Sequence, residues 1–486
     1  MMDIFNKLIS ASTDEENLSD FLENNISELY DFLLTQKFED LSTYKNKIES
    51  YILQNLRLIR QLDFSNSKTI TFTTLLLDVS ERFSFFMSFQ RLYRLLERNG
   101  CEISNRLQAS SLFLIGVNSI NDYEERILTV LEKLSESYET EEDNEDRVVG
   151  TIINYYSQVI NNFGSQNLKG VLKFRTMLIS YNETFHLLKN NTIQSVLNVD
   201  ITNNEIAFNE IQNQLDTFLK RTETYNSFIT GFLIEENTDY SLLLKNVQPN
   251  FHSIRQLSAN KWQEINDSSV FYSLQRGVKI LTEENQLFSY LYSYGKMHHN
   301  KMTSSFEYLP EELFNSDIEI IDWGCGQGLA SISFLDHFKD SISLVSQTTL
   351  IEPSEIALKR ASLHVKKFDD KIKIKTINKD LDSLFNSNFN TINTTKKIHL
   401  FSNILDIDLF SLTNLIELIE NTFNGENYFV CASPYVNNLK TSRLNSFVDS
   451  FSTKDNFELI KEIDNKTGEW NGNSWTRVIR VFKAKL

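Results

Sequence analysis

One stretch decides the fold of the carboxyl-terminal part of the chain, Ile318-Glu319-Ile320-Ile321-Asp322-Trp323-Gly324-Cys325-Gly326-Gln327-Gly328-Leu329-Ala330. It begins with an apolar, β-branched run typical of a buried strand, and an acidic residue, Asp322, comes near the end of that run. Gly324, Gly326 and Gly328 then occupy alternate positions before an apolar helix begins. Such glycines permit a tight turn and the close approach of a ligand to the backbone. The spacing is GxGxG, which differs from the GxGxxG of dinucleotide sites and disfavours a bound pyrophosphate.

The same texture continues to the end of the chain. From Asp317 onward, short β-branched runs alternate with helical stretches, which indicates βαβ units around a parallel sheet. The predicted strands are 318–322, 343–352, 372–377, 398–402 and 428–432, followed by a final pair, 457–463 and 475–482. A loop through Gly468 joins the last two runs, so we expect them to pair antiparallel.

Polar residues follow three more of these strands. Glu352 ends the second strand, and a carboxylate at that position can accept both hydroxyls of a ribose. Asp380, with Leu381 beside it, follows the third strand, where it could reach an adenine amino group. Asn403 follows the fourth strand. The alternative is that Glu352 and Asp380 only cap helices or turns.

The chain carries a glycine-rich loop, then Glu352, then Asp380, then a final pair of antiparallel strands. In this order they resemble the class I S-adenosylmethionine-dependent methyltransferase family over roughly residues 285–486. The segment 322–328 is similar to the family's glycine-rich first motif. The resemblance implies a Rossmann-like, seven-stranded domain whose last strand is antiparallel, with S-adenosylmethionine as cofactor and no metal. It implies cofactor contacts from Asp322, Gly324, Cys325, Gly326, Gly328, Glu352, Asp380, Leu381 and Asn403. Cys325 is expected to fill space in the loop and not to act as a nucleophile.

No catalytic motif of a known subfamily is present, so the catalytic candidates are single residues chosen from their position and chemistry. The segment 291–302 precedes the first strand and concentrates two of the seven histidines with Lys and Tyr. In the family that this chain resembles, such a helix covers the cofactor pocket. Tyr294, His298, His299 and Asn403 are the candidates, because a histidine has a reference pKa suited to a general base. The alternative is an amphipathic helix with exposed histidines.

The amino-terminal part has a different texture. Apolar residues recur at three- and four-residue steps, as in Leu18, Leu22, Ile26 and Leu29, and the first proline is Pro249. This pattern predicts helix after helix up to about residue 195. A short strand is possible at 195–201. We therefore predict an all-helical domain over 1–280, with a possible subdivision near 195, and a methyltransferase-type domain over 281–486.

Composition excludes several classes of protein. A chain of 486 residues, with 41% hydrophobic and 23% charged residues, is globular and too long for one ordinary domain. The formal net charge of −17 disfavours, without excluding, a nucleic-acid partner. The sequence has no run of 18 apolar residues, no secretory signal, no CxxC and no Cys/His cluster with metal-ligand spacing, which favours a cytoplasmic protein with reduced thiols.

The sequence thus predicts a methyltransferase acting on an unidentified protein, RNA or small-molecule nucleophile. A rival from another class is a catalytically inactive module that binds cofactor, or a protein partner through the helical domain. A third reading is an NAD-binding oxidoreductase, which the glycine spacing and the antiparallel end disfavour. Binding of S-adenosylmethionine or NAD would separate these readings.

Overall fold

The computed structural model describes residues 4–35, 38–117, 119–140, 143, 145–164, 166–219, 228–230, 239–274, 279–389, 391, 396–468, 470 and 472–486. The chain divides into two compact units. Unit 1 comprises residues 1–223 and 436–442, and unit 2 comprises residues 224–435 and 443–486. The domain boundary predicted at residue 280 lies inside unit 2.

Unit 1 is built from α-helices, as the sequence predicts. A π-helical turn at Asp31–Thr35 and a 3-10 turn at His186–Lys189 interrupt the series. The helices are α1 (Ile4–Ala11), α2 (Glu15–Tyr30), α3 (Phe38–Ser42), α4 (Lys45–Ile59), α5 (Ser67–Arg82), α6 (Phe86–Arg98), α7 (Asn105–Leu114), α8 (Ile120–Glu139), α9 (Glu145–Phe163), α10 (Leu168–Ser180), α11 (Asn191–Leu197) and α12 (Asn204–Leu219).

Local sequence explains where these helices begin and which face they bury. The Asp14 carboxylate accepts a hydrogen bond from the backbone N–H of Asn17 and caps α2, whose stripe Leu18, Leu22, Ile26 and Leu29 is buried. One hydrophobic core runs from Ile4 to Ile211, across residue 195. The short strand expected at 195–201 is wrong, because helix α11 continues to Leu197.

Unit 2 combines helices with one sheet. The helices are α13 (Asp239–Lys245), α14 (Phe251–Ile265), α15 (Ser268–Tyr272), α16 (Glu284–Phe306), α17 (Leu329–His337), α18 (Glu355–Phe368), α19 (Leu412–Thr422) and α20 (Asn438–Phe451), the first residues of α20 counting with unit 1. The strands are β1 (Phe228–Thr230), β2 (Ile318–Trp323), β3 (Val345–Ile351), β4 (Lys373–Asn378), β5 (Lys396–Ser402), β6 (Glu426–Ser433), β7 (Asp455–Asn465) and β8 (Arg477–Lys485). Single 3-10 turns lie at Glu311–Asn315, Lys339–Leu344, Leu381–Ser383 and Asn386–Asn388.

The strand order is β1-β4-β3-β2-β5-β6-β8-β7. Strands β2 to β6 pair parallel with one another, and β8 runs antiparallel between β6 and β7. This order confirms the predicted Rossmann-like sheet of seven strands with an antiparallel last strand. One feature differs from the prediction: β1 adds an eighth, antiparallel strand at the β4 edge, from within the region expected to be all-helical.

The sheet separates two cores, because successive side chains of a strand point to opposite faces. In β2, Ile318 and Ile320 face the core formed with α14, α16, α17 and α18. Ile321 and Trp323 face the other core, where α19 and α20 contribute. Asp322 therefore has the parity of the first face, which is also the face of α16.

Helix α14 explains why the compact unit begins before residue 280. Phe251 stacks on the imidazole of His299 in α16, with ring centroids 3.9 Å apart, and its backbone N–H donates to Asp336. Ile254 is completely buried in the same core. Helices α13 and α14 thus supply apolar surface that α16 covers. Among the described residues, no helix is both long enough and apolar enough to cross a membrane.

Candidate binding site at the carboxyl ends of the strands

The register of the sheet gathers the predicted site residues at one edge. Trp323, the last residue of β2, pairs with Ile351 of β3 and with Phe401 of β5, and Ile351 pairs in turn with Ile377 of β4. The residues that follow these positions, including Glu352 and Asn403, therefore lie beside the glycine-rich loop. Open α/β sheets bind ligands at this edge.

The three glycines of the loop 324–328 are required for different reasons. All three have positive φ, a conformation that side chains rarely adopt. A Cβ on Gly324 would overlap the side chain of Ile404, and a Cβ on Gly328 would lie 3.2 Å from Cβ of Ala361 in α18. At Gly326 a Cβ would meet nothing within 4 Å. Two glycines thus allow close packing, and the third borders open space.

Glu352 closes the loop from the neighbouring strand. Its Oε2 accepts the backbone N–H of Gly326 at 3.0 Å, and its Oε1 accepts the backbone N–H of Ser354 at 2.9 Å. Burial raises the pKa of this carboxyl to about 7, against the lowering effect of the two amide donors. The carboxylate is therefore held by backbone groups in a fixed orientation beside Gly326.

Asp322 has its hydrogen bonds inside the protein. Its Oδ2 accepts both the backbone N–H of Ser331, at 3.0 Å, and the hydroxyl of Ser331, at 2.7 Å. The side chain is 1% exposed, and burial raises its pKa to about 7. This carboxylate fastens the start of α17 to β2, so its predicted contact with a cofactor stays a prediction.

Asp380 begins the 3-10 turn Leu381–Ser383. Its two oxygens accept the backbone N–H and the hydroxyl of Ser383, each at 2.9 Å. Asp380 therefore has the capping geometry that the sequence left open as an alternative. Leu381 is partly buried and packs at the edge of the core formed with α19 and α20. Cys325 is buried in the loop, and its N–H extends the sheet by donating to the carbonyl of Ile351 at 2.8 Å.

Asn403 and His298 meet across 105 residues of sequence. Asn403 has φ +56°, and its Nδ2 lies 3.4 Å from Nε2 of His298. His298 Nδ1 lies 2.8 Å from the hydroxyl of Ser402, and the hydroxyl of Tyr290 lies 3.2 Å from Nε2. An amide nitrogen can only donate, so Nε2 is the acceptor and Nδ1 carries the proton.

This arrangement keeps His298 neutral. Burial, assisted by the charge of Lys301, lowers the pKa of His298 to about 3. The side chain is 6% exposed. A base that binds a proton so weakly is poorly suited to abstract one near neutral pH, so the lowered pKa disfavours the general-base role considered from sequence, which stays a prediction. In the described part of the chain, Asn403 Oδ1 is a buried acceptor without a hydrogen-bond partner.

The other two catalytic candidates lie elsewhere on α16. His299 stacks on Phe251, and its Nδ1 lies 2.9 Å from the hydroxyl of Ser333. Burial lowers its pKa to about 4. His299 is thus a packed core side chain and not part of the cluster around His298. Tyr294 contacts the rings of Phe271 and Tyr290, at centroid distances of 6.0 and 5.3 Å.

Sequence reasoning missed several residues at this edge. Gln327 is completely buried, and its Nε2 donates to the carbonyl of Leu287 in α16 at 2.9 Å. The hydroxyl of Ser354 donates to the carbonyl of Leu281 at 2.5 Å. These bonds tie the segment 281–287 to the loop 324–328 and to the start of α18. Ser402 lies directly before Asn403, and Tyr290 lies two helical turns before His298, so their polar groups are the sequence signals for the cluster around His298.

The chain matches no protein-family model and no curated protein. It is similar in structure to a S-adenosylmethionine-dependent methyltransferase from Leishmania major, with 12% identity over 44% of this chain and 85% of that one, at a TM-score of 0.28. It is similar to the plantazolicin methyltransferase BpumL in complex with SAH, with 15% identity over 47% of this chain and 99% of that one, at a TM-score of 0.29.

A third similar structure is a putative class I S-adenosylmethionine-dependent methyltransferase from Listeria monocytogenes, with 11% identity over 69% of this chain and 88% of that one, at a TM-score of 0.31. These scores carry no inference about activity, and the fold assignment rests on the order and direction of the strands. The solved structures named here, to which this chain is similar, are methyltransferases.

Proposed function

We propose that the chain is a S-adenosylmethionine-dependent methyltransferase. The observation that carries the proposal is the contact between Gly326 and Glu352 at the carboxyl edge of the sheet. A carboxylate is fixed beside a glycine whose missing Cβ leaves open space, at the place where such sheets bind ligands. The adenosyl part of the cofactor has the ribose that such a carboxylate recognises.

The residues present fit this cofactor. Each oxygen of Glu352 already accepts one backbone N–H and keeps lone-pair capacity for one ribose hydroxyl. The backbone of the loop 324–328 lines the space beside Gly326. Asp380 and Leu381 follow β4, on the far side of β3 from the loop, where an adenine would lie. The bound cofactor supplies an electrophilic methyl group on a sulfonium.

The methyl acceptor is proposed to lie next to Asn403 and Ser402. The unpartnered Oδ1 of Asn403 is an acceptor for an N–H or O–H of that substrate. Because His298 stays neutral and is a weak base, we propose that the nucleophile arrives with a free lone pair. Catalysis then rests on positioning and on exclusion of water. The acceptor molecule is a protein, an RNA or a small molecule.

A second candidate is a module that binds the cofactor without transferring its methyl group. The inward hydrogen bonds of Asp322 and the lack of a titratable base at His298 are the observations that favour it. In this reading unit 1 binds a protein partner. A cytoplasmic location remains part of the proposal in both cases.

Isothermal titration of the full chain with S-adenosylmethionine, S-adenosylhomocysteine and NAD tests the proposal. We expect binding of the first two and no binding of NAD. Binding of NAD alone would replace the proposal by a dehydrogenase. Transfer of a labelled methyl group to fractions of a cell lysate then separates an enzyme from an inactive module, because only an enzyme consumes the cofactor in an acceptor-dependent way.

A further inference from the structure

A histidine of α18 and a tyrosine of α13 form hydrogen bonds that lead to the backbone of the glycine-rich loop. The carbonyl of Gln327 lies 2.8 Å from Nδ1 of His364 in α18, and Nε2 of His364 lies 2.5 Å from the hydroxyl of Tyr240 in α13. His364 is completely buried and Tyr240 is 4% exposed. The three groups form a continuous chain of hydrogen bonds from α13 to the loop.

The direction of these hydrogen bonds is fixed. A carbonyl can only accept, so Nδ1 of His364 carries the proton and Nε2 accepts from the hydroxyl of Tyr240. Burial lowers the pKa of His364 to about 3 and raises that of Tyr240 to about 12. The imidazole therefore stays neutral and the phenol stays protonated over the working range of pH. The carbonyl of Gln327 thus selects the Nδ1–H tautomer, and the hydroxyl of Tyr240 holds the imidazole ring in place by donating to Nε2.

The loop is fixed by hydrogen bonds at Gln327 and borders open space at Gly326. Gln327 is followed by Gly328, which packs against Ala361, one helical turn before His364. The side-chain amide of Gln327 is fixed to Leu287. On its other side Gln327 adjoins Gly326, which borders the open space and donates to Glu352. The carbonyl of Gln327 belongs to the peptide between Gln327 and Gly328, two peptide units after the one that carries the Gly326 N–H, so fixing it restrains the loop next to Gly326.

Tyr240 is itself placed by packing. The guanidinium carbon of Arg360 lies 3.8 Å from the centroid of its ring and 4.5 Å from that of Phe288. Arg360 also donates to Glu284 at the start of α16 at 2.8 Å. Since α18 and α16 both hold this ring, the tyrosine hydroxyl has one orientation available.

We propose that Tyr240 and His364 are positioning residues for the ligand-binding loop: Tyr240 anchors the imidazole of His364 through Nε2, and His364 holds the carbonyl of Gln327, which restrains the loop so that the Gly326 amide stays oriented toward Glu352 and the ligand. The inference rests on the proposed function for the identity of the ligand. It assigns a role in binding to α13, which lies outside the region where the sequence resembles a methyltransferase.

The test uses the full chain with Tyr240→Phe, His364→Asn and His364→Leu. Tyr155→Phe is the matched control, because it removes another buried hydroxyl, which donates to the carbonyl of Tyr123 at 2.6 Å in unit 1. The dissociation constant for S-adenosylhomocysteine is measured by titration. Hydrogen–deuterium exchange of the peptide covering 324–328 is followed by mass spectrometry, and the tautomer of His364 is read by NMR of 15N-histidine protein.

We expect Tyr240→Phe to weaken binding about fivefold to tenfold and to speed exchange in the loop, since one net hydrogen bond is worth about 1 kcal/mol. His364 should keep its proton on Nδ1 in this variant, because the carbonyl of Gln327 still accepts it. His364→Leu should weaken binding further. His364→Asn keeps a donor near the position of Nδ1 and should stay closer to the wild type. Tyr155→Phe should change none of the three readouts.

Wild-type affinity and loop exchange in both Tyr240→Phe and His364→Leu would overturn the inference, and so would an equal loss in Tyr155→Phe. If His364→Leu does not fold, Tyr240→Phe and His364→Asn decide. If the wild type does not bind S-adenosylhomocysteine, the proposed function fails. Loop exchange still decides the positioning role in that case, because it needs no ligand, and a proton on Nε2 of His364 in the wild type would overturn the chain of hydrogen bonds on which the role rests.

Discussion

The backbone N–H of Gly326 donates to Oε2 of Glu352 at 3.0 Å, joining the loop after β2 to the residue after β3. Parallel pairing of β2 with β3 makes this contact possible, because it aligns the carboxyl ends of the two strands. The same carboxylate is oriented by the N–H of Ser354. The predictions about ligand binding start from this pair.

Glu352→Ala should weaken binding of S-adenosylhomocysteine about tenfold to a hundredfold. The change removes a charged acceptor, and a net loss equivalent to one hydrogen bond to a charged group, about 1.5–3 kcal/mol, corresponds to that range. Titration calorimetry measures the loss. Glu355→Ala is the matched control, because Glu355 is exposed on the following helix, where it pairs with Lys359 at 2.7 Å. Unchanged affinity in Glu352→Ala would contradict the ribose assignment.

Gly326→Ala should weaken ligand binding strongly, and Gly326→Val should abolish it. The added carbon points into space that is open in this structure and that the ligand would need. Its positive φ also costs about 1–2 kcal/mol for any other residue. Gly116→Ala is the control for that strain, because Gly116 has φ +64° and equally open surroundings in unit 1. The unfolding temperature should fall by a similar amount in the two alanine variants. Ligand binding should weaken only in Gly326→Ala.

Ligand affinity should rise with pH between about 5.5 and 7.5. The pKa of Glu352 in the free protein is about 7, so the carboxyl is mostly protonated at pH 5.5. Hydroxyl donors of a ribose favour the ionised form, so binding lowers this pKa and releases a proton. The dependence is at most about tenfold per pH unit and levels off above pH 7.

Titrations in buffers of different ionisation enthalpy would count the released proton. Glu352→Gln should remove the pH dependence, whereas Asp322→Asn should keep it but move it to lower pH, because the charge of Asp322 contributes to the raised pKa of Glu352. If the ligand affinity of Glu352→Gln still rises with pH, the released proton comes from another group.

Arg106→Leu should destabilise unit 1 by about 3–5 kcal/mol. The guanidinium is 1% exposed and pairs with Asp78, with Glu81 at 3.0 Å and with Asp143 at 3.1 Å. Its loss removes a central counter-charge from this buried cluster, in which Asp78 keeps its pair with Arg147 at 2.6 Å. Urea unfolding followed by circular dichroism measures the effect. Lys68→Met removes a surface pair with Glu23 and should cost about 0–1 kcal/mol. Equal effects in the two variants would contradict the importance of the buried cluster.

A fragment of residues 239–486 should unfold at a higher temperature than a fragment of 281–486. The longer fragment keeps Tyr240, Phe251 and Ile254, which are buried in the same core as α16. Complete burial of each such side chain is worth about 1.5–3 kcal/mol. The domain boundary predicted from sequence, at residue 281, implies instead that the shorter fragment folds and binds the ligand by itself. Equal unfolding temperatures and equal ligand affinities would favour that earlier boundary.

Local pattern was enough to predict the sheet and the loops that gather at the carboxyl ends of its parallel strands. Strands β2 to β6 are short, apolar and β-branched, and each is followed by a recognisable turn or helix start. The glycines at 324, 326 and 328 identify the loop, and parallel pairing then places Glu352 and Asn403 beside it. β1 escaped prediction because three residues, Phe228–Thr230, carry no periodicity.

The tertiary structure alone decided what the side chains at that edge do. Sequence gave His298 and His299 equal weight, yet neighbouring positions on a helix point about 100° apart, so His298 reaches Ser402 while His299 packs against Phe251. Burial, which only the fold determines, makes both imidazoles neutral. The sequence by itself therefore determined the sheet and the loops at the carboxyl ends of its parallel strands, because these follow from short-range periodicity. The partners of Asp322, His298 and His364 depend on contacts between distant residues, which no local pattern encodes.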